Sequence, residues 1–224
     1  MFDLLHFTDL LQPQWYVTHG GILLIMFVVF AETGLFAGFF LPGDSLLFVA
    51  GVFSHQLLEG FIPADQVELR LLIIIVLISL SGILGNIFGY WFGAKSGPRL
   101  YQKTDSILFK HQHLVNARNY YDKHGAMTIF VARFIPFIRT FAPIVAGTVS
   151  MNYRKFLIYN ITGSFAWSIA MVLAGHYLNQ FLIDHYNYDL STHLGYIVLG
   201  IVLVTTIPFV FKMLISGSKN RSEP

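Results

Sequence analysis

The sequence predicts an all-α polytopic membrane protein, a single domain over residues 1–224 with two opposed re-entrant helical hairpins and about three full transmembrane helices. Three observations carry that expectation. Hydrophobic residues make up 55% of the chain and charged residues 12%, about half the charge with which a soluble domain covers its surface. Apolar segments recur at 21–53, 71–93, 126–150, 155–178 and 195–215, and a helix needs about 20 apolar residues to cross the hydrocarbon. Two of them, 21–53 and 126–150, contain charges and prolines that an ordinary span lacks. The same composition excludes a disordered chain. A net charge of +2 excludes a nucleic-acid binder driven by basicity, and the absence of Cys excludes thiolate chemistry.

The elements follow in order. Residues 1–20 contain no Lys or Arg and do not read as a removable signal. Phe2, Leu4, Leu5, Phe7, Leu10 and Leu11 among Asp3, His6 and Asp9 predict a short amphipathic interfacial helix, stopped by Pro13. Segment 21–53 contains Glu32, Asp44, Pro42 and glycines 34, 38, 43 and 51, so it is expected to enter the bilayer and return. Segment 71–93 is a clean span. Residues 94–125 form a basic connection whose apolar positions, Ile107, Leu108, Leu114, Val115 and Tyr121, predict an amphipathic helix. Segment 126–150 contains Arg133, Arg139, Pro136 and Pro143 and is the second expected hairpin; 155–178 and 195–215 are spans, followed by a tail at 216–224.

Orientation follows from the basic residues, because loops rich in Lys and Arg stay on the cytoplasmic side. Lys95, Arg99, Lys103, Lys110, Arg118 and Lys123 place 94–125 inside, and Lys212, Lys219 and Arg221 place the tail there; loop 179–194 has Asp184 and Asp189 and faces outward. Lys123 precedes segment 126–150, and Arg154 and Lys155 follow it, so both its ends suit the cytoplasm. Segment 21–53 is followed by Glu59, Asp65 and Glu68 with only Arg70, so its ends suit the opposite face. Broken helices at membrane depth are tolerated only in protein or against a wet cavity, which puts both hairpins at the centre. Opposed broken segments, each followed by a span, predict a pseudo inverted repeat. The closing tripeptides Val49-Ala-Gly51 and Val145-Ala-Gly147 echo it faintly. The alternative is a six-helix bundle in which 21–40 spans and Pro42 opens a loop.

Glu32, Asp44, Arg133 and Arg139 all fall at membrane depth. Four unpaired charges there would cost on the order of 10–14 kcal/mol, so they must pair, face water or bind a charged ligand. Mutual pairing between the hairpins is the economical solution. Arg133 and Arg139 are poorly aligned on an uninterrupted helix, about 120° apart. A break near Pro136 would bring both guanidinium groups to one cavity. Pro42, Gly43, Pro136, Pro143 and Gly147 are the expected positions of hairpin breaks and close approach. A neutral network that merely locks the hairpins together is the competing reading; buried ion pairs are often replaceable by apolar residues, which favours a solute path.

Glu32 with Phe39-Phe-Leu-Pro-Gly-Asp-Ser-Leu-Leu47 and Ala50-Gly51, together with Phe130-Val-Ala-Arg-Phe-Ile-Pro-Phe-Ile-Arg-Thr-Phe-Ala-Pro-Ile-Val-Ala-Gly147, resembles the bacterial DedA family of inner-membrane proteins, which share the VTT domain. The resemblance covers residues 15–215 and extends to Tyr121-Asp-Lys-His-Gly125, Asn160-Ile-Thr-Gly163 and Trp167. It implies transport of a lipid carrier, undecaprenyl phosphate or a phospholipid, across the bacterial inner membrane with dependence on proton-motive force. It also implies that Glu32 and Asp44 are the functional acidic pair and Arg133 and Arg139 the arginine pair. Gly85-Asn86 departs from the Gly-Asp of many members.

The expected partners are therefore a lipid, protons and the membrane, with no nucleic acid, cofactor or metal. In the expected mechanism the arginines hold the lipid phosphate, and protonation of Glu32 or Asp44 releases them for it. An energy-independent phospholipid scramblase is the alternative. No His-Glu-x-x-His or Gly-x-Ser-x-Gly is present, so an enzyme is not expected. His111 and His113 lack a third ligand, and Trp15, Trp91 and Trp167 are expected as interface anchors.

Overall fold

The structure, a computed structural model, describes residues 13–35, 43–59, 61–63, 65–102, 121, 125, 127–188 and 190. Its regular elements are helices throughout the described residues: α1 (Pro13–Gly34), α2 (Gly43–Val52), α3 (Ser54–Leu57), α4 (Val67–Gln102), α5 (Met127–Ala132), α6 (Pro136–Thr148) and α7 (Tyr153–Tyr186). Residues 1–12, residues 36–42 with Pro42, the connection 103–120 and the expected span 195–215 lie outside the described residues.

Among the described residues two helices are long and apolar enough to cross a membrane, Val67–Gly97 of α4 and Tyr153–Tyr186. They contain the expected spans 71–93 and 155–178 and exceed both. The others are short. At about 1.5 Å per residue, the apolar Gly21–Gly34 rises about 21 Å, α2 about 15 Å and α6 about 20 Å, against roughly 30 Å of hydrocarbon.

Sequence chemistry accounts for most of the boundaries. Pro13 opens α1, since a proline at the first helical position forfeits no internal hydrogen bond. Gly21, at φ 52°, breaks α1 in a conformation few other residues adopt. Pro136 opens α6 and pushes Ile135 into extended backbone (φ −114°, ψ 106°), which separates α5 from α6. Asn152 caps α7 by accepting a hydrogen bond from the Lys155 amide at 3.2 Å, and Asn187 ends it in the left-handed conformation.

Four expectations need correction. α4 does not stop at residue 93 but continues through Pro98 to Gln102, because Gly97 still packs on the Thr148 backbone of α6. The expected outer loop 179–194 begins as helix, since α7 runs to Tyr186. Pro143 does not break the second hairpin; it sits inside α6 beside Gly89 of α4. Arg70, read as a loop charge, is on the first turn of α4 and buried, donating to the carbonyls of His55 (3.1 Å) and Ile62.

The packing is crossed between the halves. α1 and α6 lie on α4, while α2 and α5 lie on α7. A Cβ on Gly51 of α2 would strike the Val172 carbonyl and stand 2.9 Å from the His176 nitrogen; one on Gly147 of α6 would strike the Tyr90 carbonyl and stand 2.8 Å from the Ala94 nitrogen. The reciprocal contacts match. Gly175 of α7 is closed by the carbonyl of Phe48, three residues before Gly51, and Gly93 of α4 by that of Ile144, three residues before Gly147. The Val-Ala-Gly echo is thus one backbone crossing made twice in the same register. A larger apolar cluster joins α1, α2, α4 and α7 around Ile25, Leu46, Leu47 and Ile74, and a smaller one surrounds Phe156.

Candidate functional site

The helix ends bring the four charges together. Glu32 lies in the last turn of α1, Asp44 in the first turn of α2, Arg133 in the break after α5 and Arg139 in the first turn of α6. Gly43 lies against the Glu32 carboxylate, leaving no room for a side chain there, so the end of α1 and the start of α2 meet at that point.

The pairing is lopsided. Arg139 takes both acids, its Nη2 on Glu32 Oε1 and its Nη1 on Asp44 Oδ1. Its side chain is 4% exposed, against 8% for Glu32 and 22% for Asp44. Arg133, 3% exposed, has no carboxylate within 4.0 Å among the described residues. Its Nη1 donates to Asn160 Oδ1 at 3.3 Å, while Nε and Nη2 are buried without a hydrogen-bond partner among the described residues. The expected mutual pairing therefore occurs, but on one arginine.

The indole of Trp167 joins the two cations. Its ring centroid is 4.7 Å from Arg139 Cζ and 5.4 Å from Arg133 Cζ, and the negative ring face offsets part of the repulsion between the guanidinium groups. Trp167 is 4% exposed, which corrects the expectation of an interface anchor. Trp91 is half exposed, with Lys95 Nζ 5.0 Å from its ring. Behind Arg133, Asn160 Oδ1 also accepts from Asn86 Nδ2 at 2.7 Å, and Asn160 Nδ2 donates to the Ile83 carbonyl at 3.2 Å. Gly82 of α4 gives the Arg133 guanidinium its space, since a Cβ there would collide with Nη2.

Asn160 had no role expected from the sequence, and Trp167 only that of an anchor, although a signal existed. Asn160, Ser164, Trp167 and Ser168 fall on one face of α7 at helical spacing, as Ser79, Gly82 and Asn86 do on α4. A polar stripe inside an apolar span marks a functional face by default. A separate cavity of about 270 Å³ between α2, α3, α4 and α7 is lined by Ser54, His55, His176, Asn179 and Gln180 among others, with none of the four charges.

Comparison with known proteins places these residues in a family. The family model for the VTT domain matches residues 41–177. Protein DedA of Escherichia coli K12 is 34% identical over 191 residues, covering 85% of this chain and 81% of that protein. The chain belongs to the DedA family. An uncharacterized membrane protein of Mycobacterium tuberculosis H37Rv is 35% identical over 206 residues, covering 89% of this chain and 84% of the relative. The E. coli inner membrane protein YqjA is 32% identical over 183 residues, covering 77% and 79%. No solved structure matches. As its relatives' names indicate, this DedA-family chain is a membrane protein. Asp44, Arg133, Arg139, Asn160 and Trp167 all fall within the VTT match, and Glu32 precedes it.

Proposed function

We propose that this DedA-family chain is a lipid transporter that carries a phosphorylated lipid, of which undecaprenyl phosphate is the favoured candidate, across the bacterial inner membrane with proton coupling. The observation that carries the reading is the buried Arg133, which has open donors and no carboxylate beside it among the described residues, while the neighbouring Arg139 is held by two. A guanidinium fork suits two oxygens of a phosphate, and an unpaired one at membrane depth has a reason to exist if an anion visits it.

Charge balance supports the coupling. Glu32, Asp44, Arg133 and Arg139 sum to zero, so a monoanionic phosphate alone would leave a net charge in a dry site. A proton taken by Glu32 or Asp44 restores neutrality. It also removes one of the two carboxylates holding Arg139 and frees its fork. In this mechanism proton and phosphate enter together because either alone carries the cost of a buried net charge. The lipid tail stays in the surrounding hydrocarbon, and the protein acts as a transporter without covalent chemistry.

The test is flipping of undecaprenyl phosphate in proteoliposomes with and without a pH gradient. Arg133→Ala is expected to abolish transport, and Glu32→Gln with Asp44→Asn to abolish its dependence on the gradient. Unchanged flipping by Arg133→Ala would sink the phosphate reading. Transport by the unsubstituted protein that ignores the gradient would favour an energy-independent scramblase.

A further inference from the structure

We infer that Asn160 is a positioning residue: it holds Arg133 with a neutral acceptor where a carboxylate would fit, and so keeps that arginine open to an incoming anion while Arg139 keeps the two acids. The inference rests on the proposal above that the site receives a phosphate, and it divides the labour between the two arginines.

The hydrogen bonds fix which end of the amide faces Arg133. Asn160 Nδ2 is committed to the Ile83 carbonyl at 3.2 Å, so Oδ1 must be the acceptor turned toward the guanidinium. That oxygen is braced by Asn86 Nδ2 at 2.7 Å and Ser164 Oγ at 3.5 Å, and Asn160 is fully buried. It is the acceptor that Arg133 has among the described residues. The Trp167 ring and Gly82 complete the seat and supply no charge.

Asp has the shape of Asn and would turn this hydrogen bond into an ion pair. A buried cation without a counter-charge is costly, so a chain selected only for stability gains from the acid. Neutrality at 160 has a ligand-side reason instead: a carboxylate there would compete with a phosphate for the same donors and repel it. The two arginines then differ by their neighbours. Arg139 acts as the latch for Glu32 and Asp44, and Arg133 as the standing seat.

The experiment uses the full-length chain in detergent, with farnesyl phosphate as probe and farnesol as the uncharged control, and reads melting temperature with and without probe. The unsubstituted protein is expected to be stabilised by farnesyl phosphate and not by farnesol. Asn160→Asp gains an ion pair and loses the donor to the Ile83 carbonyl, so it is expected to melt no lower than Asn160→Ala without ligand, yet to need about tenfold or more farnesyl phosphate than the unsubstituted protein for the same shift. Asn160→Ala, which loses the brace without adding charge, is expected to melt lower while keeping more of its response than Asn160→Asp. An Asn160→Asp protein that responds like the unsubstituted one, or that melts below Asn160→Ala, overturns the inference. A response absent from the unsubstituted protein sinks the phosphate reading itself, and the inference with it.

Discussion

At the scale of single residues, Arg139 carries more than its own charge. Its guanidinium faces two largely buried carboxylates, so Arg139→Ala strands both, and losing one partner of a buried pair costs about 3–5 kcal/mol. We expect Arg139→Ala to lower the melting temperature of the purified protein more than Arg133→Ala does. Combining Arg139→Gln with Glu32→Gln should recover part of that loss, read by thermal unfolding in detergent. Gly82→Ala tests the seat from another side: its Cβ meets Arg133 Nη2, so transport should fall while the protein still accumulates. The four charges were legible in the sequence because charge in an apolar stretch is expensive wherever the chain folds. Which arginine took the acids was not, since that depends on where α5 stops and α6 starts to within a residue. Trp167 and Asn160 were missed for a different reason: an aromatic or an amide is also compatible with a lipid interface or a helix-packing face.

At the scale of elements, the break at 133–135 is the device that makes the site. Pro136→Ala removes the residue that forces Ile135 out of helical backbone, and a continuous α5–α6 would swing Arg139 away from Arg133 by about 120°. Transport is expected to drop at least tenfold in the flipping assay with expression retained; full activity would show that the break does not depend on the proline. The glycine crossings admit no side chain, because the neighbouring atoms are backbone and cannot swing aside. Gly51→Val and Gly147→Val are therefore expected to be comparably damaging, by about 3 kcal/mol or more, a little beyond ordinary overpacking. A large difference between them, measured as surviving folded fraction after heating, would deny that the two crossings are equivalent. Proline and glycine marked these features in the sequence, yet Pro98 and Pro143 sit inside helices. Tertiary contact with a partner helix outweighed the local signal there, and no reading of one segment alone contains its partner.

At the scale of the molecule, the helical membrane architecture followed from composition, and the doubled glycine crossing was only hinted at by three residues. What composition could not supply is the exchange of partners: α2 rests on α7 and α6 on α4, so each half completes the other. Fragments 1–110 and 111–224 produced together should copurify from detergent extracts, and each produced alone should fail to accumulate. A first fragment that folds and persists unaided would contradict this.

The exchange also sets an order of events during synthesis. α2 is complete at Val52, but the helix that closes over Gly51 begins at Tyr153, so α2 emerges long before its docking surface exists. The first half must wait with Gly51 uncovered until α7 is made. Assembly of this crossing then waits on α7, and a substitution at Gly175 would be felt by the cell as a failure of residues made far earlier.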